Sequence, residues 1–390
     1  VEIVERKLIY LDNAATTPVS ESVVTEMTKQ LAENFGNPSS THTFGRKALE
    51  VVDEARHRIA EFINAQNDDE IIFTSGGSES NNTVLQGIAK KYHYDCQIIT
   101  TAIEHPSILN TVKDLKASGV DVVYLPVDET GHIGLADLKA ALTEKTVLVS
   151  TMAVNNEVGS INDLAKIGQI VHEYNPKICF HVDAVQGLGN IDLDVQAMQI
   201  DFMSTSAHKI NGPKYIGFLY ERTGLTLPSL ITGGEQEKKR RAGTTDAPSI
   251  AGFGEAIKIL QGVSRSDEQK RYQEFQQIVL DALDANEIKY QVNGSLTGLV
   301  SHHTLNLHLI GIGTYVMLTN LDLAGFAVSG GSACTAGSLT PSHVLTAMYG
   351  ADSPRIEESI RISFGRLTKK SEVEAFADAL VKMAKRLQKA

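Results

Sequence analysis

Residues 177–209 read KICFHVDAVQGLGNIDLDVQAMQIDFMSTSAHK. Two short β-rich runs, KICFHVDA and DFMSTSA, end on polar residues: Asp183 and Gln186 follow the first, Ala207, His208 and Lys209 the second. The 26 positions from Asp183 to Lys209 are enough for the chain to cross over and return to the same edge of a sheet. A carboxylate and an amine then converge where open parallel sheets bind ligands. A plain salt bridge between strand ends fits the two residues equally well.

The same grammar extends outward. Further candidate strands are EIIFTS, CQIITTAI, DVVYLPV and TVLVSTMAV, nearly continuous in apolar or β-branched residues, as strands covered on both faces are. Helical spacing falls at 20–33, with Val23, Val24, Met27 and Leu31 on one face, and at 46–63, with Leu49, Val52, Ile59 and Phe62. It recurs at 79–92, 105–117, 134–143 and 161–174. Alternating strands and helices predict an α/β fold with a mainly parallel sheet. After about 262 the texture changes to a long charged helix (SDEQKRYQEFQQIVLDAL), isolated strands HTLNLHLI and SIRISFG, and a closing amphipathic helix, which predicts a smaller α+β domain.

Composition narrows the partners. The chain of 390 residues is 42% hydrophobic and 21% charged, with a net charge of −11. An acidic protein has no general attraction to nucleic-acid phosphates or anionic lipid. No run approaches the roughly 20 apolar residues needed to span a bilayer, and a cytoplasmic protein is expected. The basic run Lys238, Lys239, Arg240, Arg241 lies beside Glu235 and Glu237 and reads as a solvated or intersubunit loop. His302, His303 and His308 have no cysteine or acidic partner at ligand spacing, so no metal site is expected. Cys96 and Cys179 sit in apolar runs and read as small buried hydrophobes. Cys334 stands apart in SGGSACTAGS, a stretch with little to bury.

Two more strand ends are candidates, although an ordinary strand-to-helix turn fits the first, and a packing or capping histidine the second, at least as well. TSGGSES follows EIIF and opens a helix, so Gly76, Gly77 and Ser78 allow backbone amides and a hydroxyl to approach an anion. Glu104 and His105 follow CQIITTAI, with Pro106 at a plausible first helical position. An anion cradle, an Asp, a Lys and an anchored His together supply what pyridoxal 5'-phosphate requires: a phosphate site, an anion for the ring nitrogen and an amine for the aldehyde.

At this point the motifs resemble a family. YLDNAATTP, GNPSSTHTFGRKA, FTSGGSESNN, EHPSI, VNNEVG, HVDAVQ, SAHKINGPKYIGFLY, RRAGT, SGGSACTAGSLTPSHVL and SIRISFGR are similar, in order, to those of the cysteine desulfurases (NifS/IscS-like, class V of the aminotransferase-type pyridoxal phosphate enzymes). The resemblance runs from about residue 8 to 382. It implies a homodimer of the aspartate aminotransferase fold (fold type I), with a seven-stranded sheet in a large domain, 16–261, and a small domain made of 1–15 and 262–390.

The resemblance also implies roles. Lys209 is the lysine that binds the coenzyme aldehyde, Asp183 the partner of the ring nitrogen, and His105 the ring-stacking proton carrier and the group that assists the thiol. Gln186 bonds the ring hydroxyl, and Asn156 lies between cofactor and substrate carboxylate. Gly77, Ser78, Ser206 and His208 hold the phosphate, with Thr244 reaching the phosphate site of the other subunit. Arg361 binds the substrate carboxylate, while nearby Arg366 is structural. Cys334 is the nucleophile that takes sulfur from L-cysteine, leaves L-alanine and carries a persulfide to acceptor proteins for iron-sulfur cluster assembly or tRNA thiolation. GGSES, Ala207 and the TTDAPS stretch from Thr244 depart from the family pattern, the last at the intersubunit contact. Selenocysteine lyase, a small amino-acid transaminase and a non-catalytic scaffold for sulfur acceptors are the competing readings.

Overall fold

Seven strands form one sheet in the order β2-β8-β7-β6-β5-β3-β4: β2 (Ile71–Thr74), β3 (Gln97–Thr101), β4 (Asp121–Leu125), β5 (Thr146–Met152), β6 (Cys179–Asp183), β7 (Phe202–Ser204) and β8 (Gly217–Glu221). The computed structural model describes residues 8–330 and 341–388. The run β7-β6-β5-β3-β4 is parallel, while β8 pairs antiparallel with both β2 and β7. β8 was not among the expected strands, because YIGFLY is a brief apolar run following a Gly-Pro turn. Residues of β2, β3 and β6 are buried throughout, which is why these segments carry no polar alternation.

Helices cover both faces. α1 (Glu21–Glu33), α2 (Thr43–Phe62) and α7 (Ala247–Gln261) pack together, and their apolar residues share one cluster with Phe180, Met203 and Phe218 of the sheet. On the other face α3 (Gly77–Lys91) and α4 (Pro106–Ala117) pack Val84, Leu85, Ile88, Ile108 and Val112 against Ile72, Ile98, Leu148 and Leu219. α5 (Leu135–Ala141) and α6 (Leu164–Tyr174) complete the first core. Caps fix where these helices start: His42 accepts from the Gly45 N–H, His105 from Ser107 and Asp163 from Lys166.

The expected face of α1 is only half right. Val23 is buried, but Val24 is 50% and Leu31 65% exposed, and Leu49 of α2 is exposed as well. Helical spacing identifies an apolar stripe without saying which body covers it.

A second core is built from both ends of the chain. β1 (Ile9–Tyr10) pairs in parallel with β11 (Phe326–Ala327), and Ile9 and Leu11 are buried with residues of α8 (Arg265–Ala285), α9 (Thr314–Leu323) and α11 (Lys370–Leu387). The strands expected to be isolated are joined: β10 (Thr304–Leu309) lies antiparallel between β12 (Ser359–Ser363) and β9 (Tyr290–Val292). The short helix α10 (His343–Tyr349) packs elsewhere, placing Val344, Leu345 and Met348 against Ile103, Met152 and Val158 beside the large sheet. Among the described residues no helix is long and apolar enough to cross a membrane.

Phe253 of α7 is fully buried with its ring centroid 5.6 Å from that of Phe218 on β8. Phe253→Ala removes that contact and leaves a cavity, so it is expected to lower stability by about 3–5 kcal/mol, read as an earlier midpoint in denaturant unfolding.

Candidate active site

The C-terminal ends of the parallel strands open into a cavity of about 300 Å³. Asp183, last residue of β6, lines it and is buried; Asn81 of α3 donates to one carboxylate oxygen at 2.8 Å and the Val185 N–H to the other at 3.0 Å. Lys209 enters from the turn after β7, where residues 207–209 form a single 3-10 turn. Its Nζ donates to the carbonyls of Ala14 and Ala15 at 2.6 and 2.8 Å. The crossover expected from 177–209 therefore returns as proposed. The two ends serve one cavity without forming a salt bridge with each other.

The anion cradle is equally specific. α3 begins at Gly77, immediately after Gly76 with its φ of +141°, and Gly77, Ser78, Ser206 and His208 all line the cavity. A Cβ on Gly77 would lie 2.4 Å from Val185 Cγ2, and one on Gly217 would lie 2.3 Å from the Thr205 carbonyl oxygen. At Gly217 the backbones approach too closely for any side chain, and at Gly77 the Val185 side chain fills the space. A helix N-terminus flanked by two hydroxyls and a histidine fits a phosphate. Burial, with Lys209 and Lys214 adding to it, pushes His208 down to about 4, so its ring stays neutral and presents an N–H donor.

His105 is the N-cap of α4. Its Nδ1 accepts from the Ser107 N–H at 3.1 Å and lies 2.8 Å from the Ser107 hydroxyl. Burial lowers its pKa, Asp183 acts in the opposite sense, and Lys209 and His343 add to the lowering. With Nδ1 occupied as an acceptor, the proton of the neutral ring sits on Nε2.

At the other wall Arg361 of β12 is 1% exposed. It donates to the Asn156 carbonyl at 2.9 Å and to Asp12 at 2.6 Å, and its buried Nε has no partner among the described residues. A buried guanidinium N–H left without a partner, on a side chain that lines the cavity, suits a planar carboxylate. Asn156 and Gln186 line the same cavity, Gln186 donating to the Ala14 carbonyl at 2.8 Å. Arg366 is not part of it and is held by Glu268 and the Gly189 carbonyl. Thr244 lines a separate cavity of about 210 Å³ with Ser75 and Tyr215. Cys334 lies outside the described residues, and the other two thiols are buried: desolvation raises Cys96 and pushes Cys179 up to about 12. Among the described residues no His, Cys, Asp or Glu cluster could hold a metal ion.

Several participants escaped sequence reasoning. Asn81, inside FTSGGSESNN, fixes Asp183, and Asp12, inside YLDNAATTP, pairs with Arg361. Glu104 and Glu157 are fully buried carboxyls beside the cavity. Glu104 accepts from Thr101 at 2.6 Å and from the Met152 N–H at 2.9 Å; Glu157 accepts from Ser342 at 2.5 Å. Burial raises both pKa values, Glu104 to about 8.

A phosphate cradle, a ring-nitrogen carboxylate and a lysine at the strand ends of a seven-stranded sheet define a pyridoxal-phosphate protein of fold type I, and the residues present fit that coenzyme. The pattern for "Aminotransferase class-V" matches residues 9–376. The chain is 46% identical over 380 residues to a putative cysteine desulfurase IscS 1 of Bacillus subtilis (strain 168), covering 97% of this chain and 99% of that one. A solved NifS-like protein superposes with a TM-score of 0.90 at 33% identity, covering 97% of this chain and all (100%) of that one. A structure described as SspA in complex with cysteine gives a TM-score of 0.79 at 36% identity over 91% of this chain and 98% of that one. The chain belongs to the NifS- and IscS-like cysteine desulfurases of the class-V aminotransferase family.

Glu104 has a thermodynamic signature. Its folded pKa, about 8, exceeds the ordinary 4.5, so between those values the folded protein holds a proton that the unfolded chain has lost. The sign is that stability falls as pH rises through this window, by up to about 1.4 kcal/mol per pH unit. Glu104→Gln is expected to flatten that decline relative to the parent, measured by denaturant unfolding at stepped pH.

Proposed function

We propose that this protein binds pyridoxal 5'-phosphate through the residues above and, as a cysteine desulfurase, converts L-cysteine to L-alanine, passing the sulfur on as a persulfide formed on Cys334. The observation that carries the reading is one cavity lined by Asp183, Lys209, His105 and Arg361. Membership of the desulfurase family and the burial of the two other thiols support Cys334 as the acceptor. When bound, the coenzyme supplies an electron sink for charge developing at the substrate α carbon.

The chain's own residues do the rest. Asp183 sets a negative charge opposite the ring nitrogen, and Asn81 with the Val185 N–H keeps its carboxylate oriented. Gly77, Ser78, Ser206 and His208 hold the phosphate, Gln186 reaches the ring hydroxyl, and Asn156 lies between coenzyme and substrate. Lys209 moves a proton at the α carbon, and His105 covers the ring and supplies an N–H. Arg361 orients the substrate by its carboxylate through paired N–H donors. Cys334 attacks as thiolate, since a thiol of ordinary pKa, about 8.5, is a poor nucleophile until deprotonated.

A second copy completes the protein. Val24, Leu31, Phe35, Phe44 and Tyr215 are exposed large apolar side chains, and burying such a surface against a partner is the usual solution. Thr244, close to Ser75 yet outside the main cavity, then serves the neighbouring subunit's phosphate. Proteins of iron-sulfur cluster assembly or tRNA thiolation are the sulfur acceptors we assign, in the cytoplasm.

Incubation with L-cysteine and a thiol reductant is expected to yield alanine and sulfide in equal amounts. Cys334→Ser should lower that yield by more than about 10³-fold while keeping the bound coenzyme's visible absorbance; full sulfur transfer by this variant would sink the reading. Lys209→Ala should lose that absorbance maximum on reconstitution. Arg361→Lys, which exchanges a planar fork for a point charge, should raise KM for L-cysteine by about 10-fold or more with a smaller effect on kcat.

A further inference from the structure

His343 lines the active cavity, yet no role above uses it. It is the first residue of α10, and its Nε2 lies 2.8 Å from the carbonyl oxygen of Glu104. A carbonyl only accepts, so Nε2 carries the proton, and the neutral ring keeps a lone pair on Nδ1. Among the described residues nothing is hydrogen-bonded to Nδ1, and it is not among the buried orphaned atoms.

His105 and His343, two of the cavity's histidines, are therefore wired in opposite senses. His105 has Nδ1 tied to a backbone donor and carries its proton on the other nitrogen; His343 has Nε2 tied to a backbone acceptor and keeps a lone pair on Nδ1. A sulfhydryl is a weak donor and a weaker acceptor, so it is matched by the second arrangement and not by the first.

The position is as constrained as the tautomer. Ser342, the N-cap of α10, donates to the buried Glu157 carboxylate at 2.5 Å and accepts from the Leu345 N–H at 3.0 Å. Val344 and Leu345 are fully buried against the large sheet. Ser342, beside His343, bonds the Glu157 carboxylate, and Arg361 bonds the carbonyl of Asn156, the residue before Glu157, which brings the three groups together. Among the described residues that line the cavity, only His343 and Arg361 come from the chain beyond residue 262. The residues assigned to the coenzyme come from the first part of the chain, and Arg361 is assigned to the substrate.

We propose that His343 determines specificity for the substrate side chain: its Nδ1 accepts the S–H hydrogen of bound L-cysteine while Nε2–H stays on the Glu104 carbonyl. Arg361 reads the carboxylate and His343 reads the sulfhydryl. The inference rests on the desulfurase reading, and it concerns recognition of L-cysteine before any bond is broken.

The test separates recognition from turnover by using coenzyme-loaded protein in a Cys334→Ser background, where L-cysteine binds without productive sulfur transfer. Dissociation constants for L-cysteine and for L-alanine, which has the same carboxylate and amine but no S–H, are read from the coenzyme's absorbance. His343→Phe keeps a ring of similar volume and removes both nitrogens. It is expected to weaken L-cysteine about fivefold, the size of one modest hydrogen bond, and to leave L-alanine within about twofold. His343→Gln retains an N–H for the Glu104 carbonyl and lacks the imidazole lone pair; should the Phe variant not fold, it is expected to narrow the cysteine-to-alanine preference by about twofold or more. A preference that stays unchanged, whether both ligands weaken together or neither does, overturns the proposal. Failure of the parent protein to form alanine from L-cysteine would instead overturn the desulfurase reading, and the binding ratio reports independently of that result.

Discussion

An ammonium group inside a protein must be given acceptors, and the acceptors of Lys209 are the carbonyls of Ala14 and Ala15. That requirement fixes the course of residues 9–17 and, with it, the meeting of the two cores. Ile9 and Leu11 are buried in the smaller core, Asp12 pairs with Arg361, and Asn13 and Ala14 bond to Ser363. On the other side Ala14 also receives Gln186, Thr16 lies 3.1 Å from His208 Nδ1, and Thr17 donates to the His208 carbonyl at 2.8 Å. One short segment thus carries acceptors of Lys209 and the counter-ion of Arg361. The distance between amine and carboxylate sites is set by consecutive backbone units instead of by two domains packing independently.

Around this segment the cavity manages charge by keeping most of its ionisable groups neutral. Burial raises Glu104 and Glu157 and lowers His105 and His208, so each tends to its uncharged form near neutral pH. Asp183 is treated differently, receiving an amide donor and a backbone N–H on its two oxygens. Those two N–H donors fix the orientation of the carboxylate.

Much of this was legible in the residues. Strands β3, β5 and β6 announced themselves as unbroken apolar runs, and the polar residues just beyond them proved to line the cavity. What was missed has physical reasons. β8 runs antiparallel to both of its neighbours, so it lacks the helical crossover that announces a parallel strand. Val24, Leu31 and Leu49 fit a helical stripe, but spacing cannot distinguish a face covered by the chain's own sheet from one left outward. Glu104 was noted only beside His105 at a strand end and Glu157 only inside VNNEVG, since nothing in an isolated acidic residue declares that hydroxyl and amide donors wait in the core. Arg361 and Arg366 were separated by family resemblance alone. The structure gives the reason: Arg361 lies on β12 facing the cavity, whereas Arg366 lies past the strand end and is consumed by Glu268.

The division between the two parts of the chain has a chemical logic. A phosphate, a ring nitrogen and a ring hydroxyl belong to one rigid coenzyme, so their partners are best placed on one rigid sheet, and Gly77, Asp183, Gln186 and Lys209 all follow its strands. The two cavity residues from the later part of the chain are held by bonds to the earlier part: Arg361 through the Asn156 carbonyl and the Asp12 carboxylate, His343 through the Glu104 carbonyl. The two carbonyls lie in loops that follow strands β3 and β5. Each of the two residues uses one side of a side chain for anchoring and leaves another for a ligand, Nε in the arginine and Nδ1 in the histidine. A guanidinium edge and an imidazole lone pair are chemically unlike, and a ligand satisfies both only if it joins a carboxylate to a hydrogen donor a few bonds away. An amino acid with an apolar side chain meets the first condition and leaves the second unfulfilled, which is the kind of asymmetry by which polar sites discriminate.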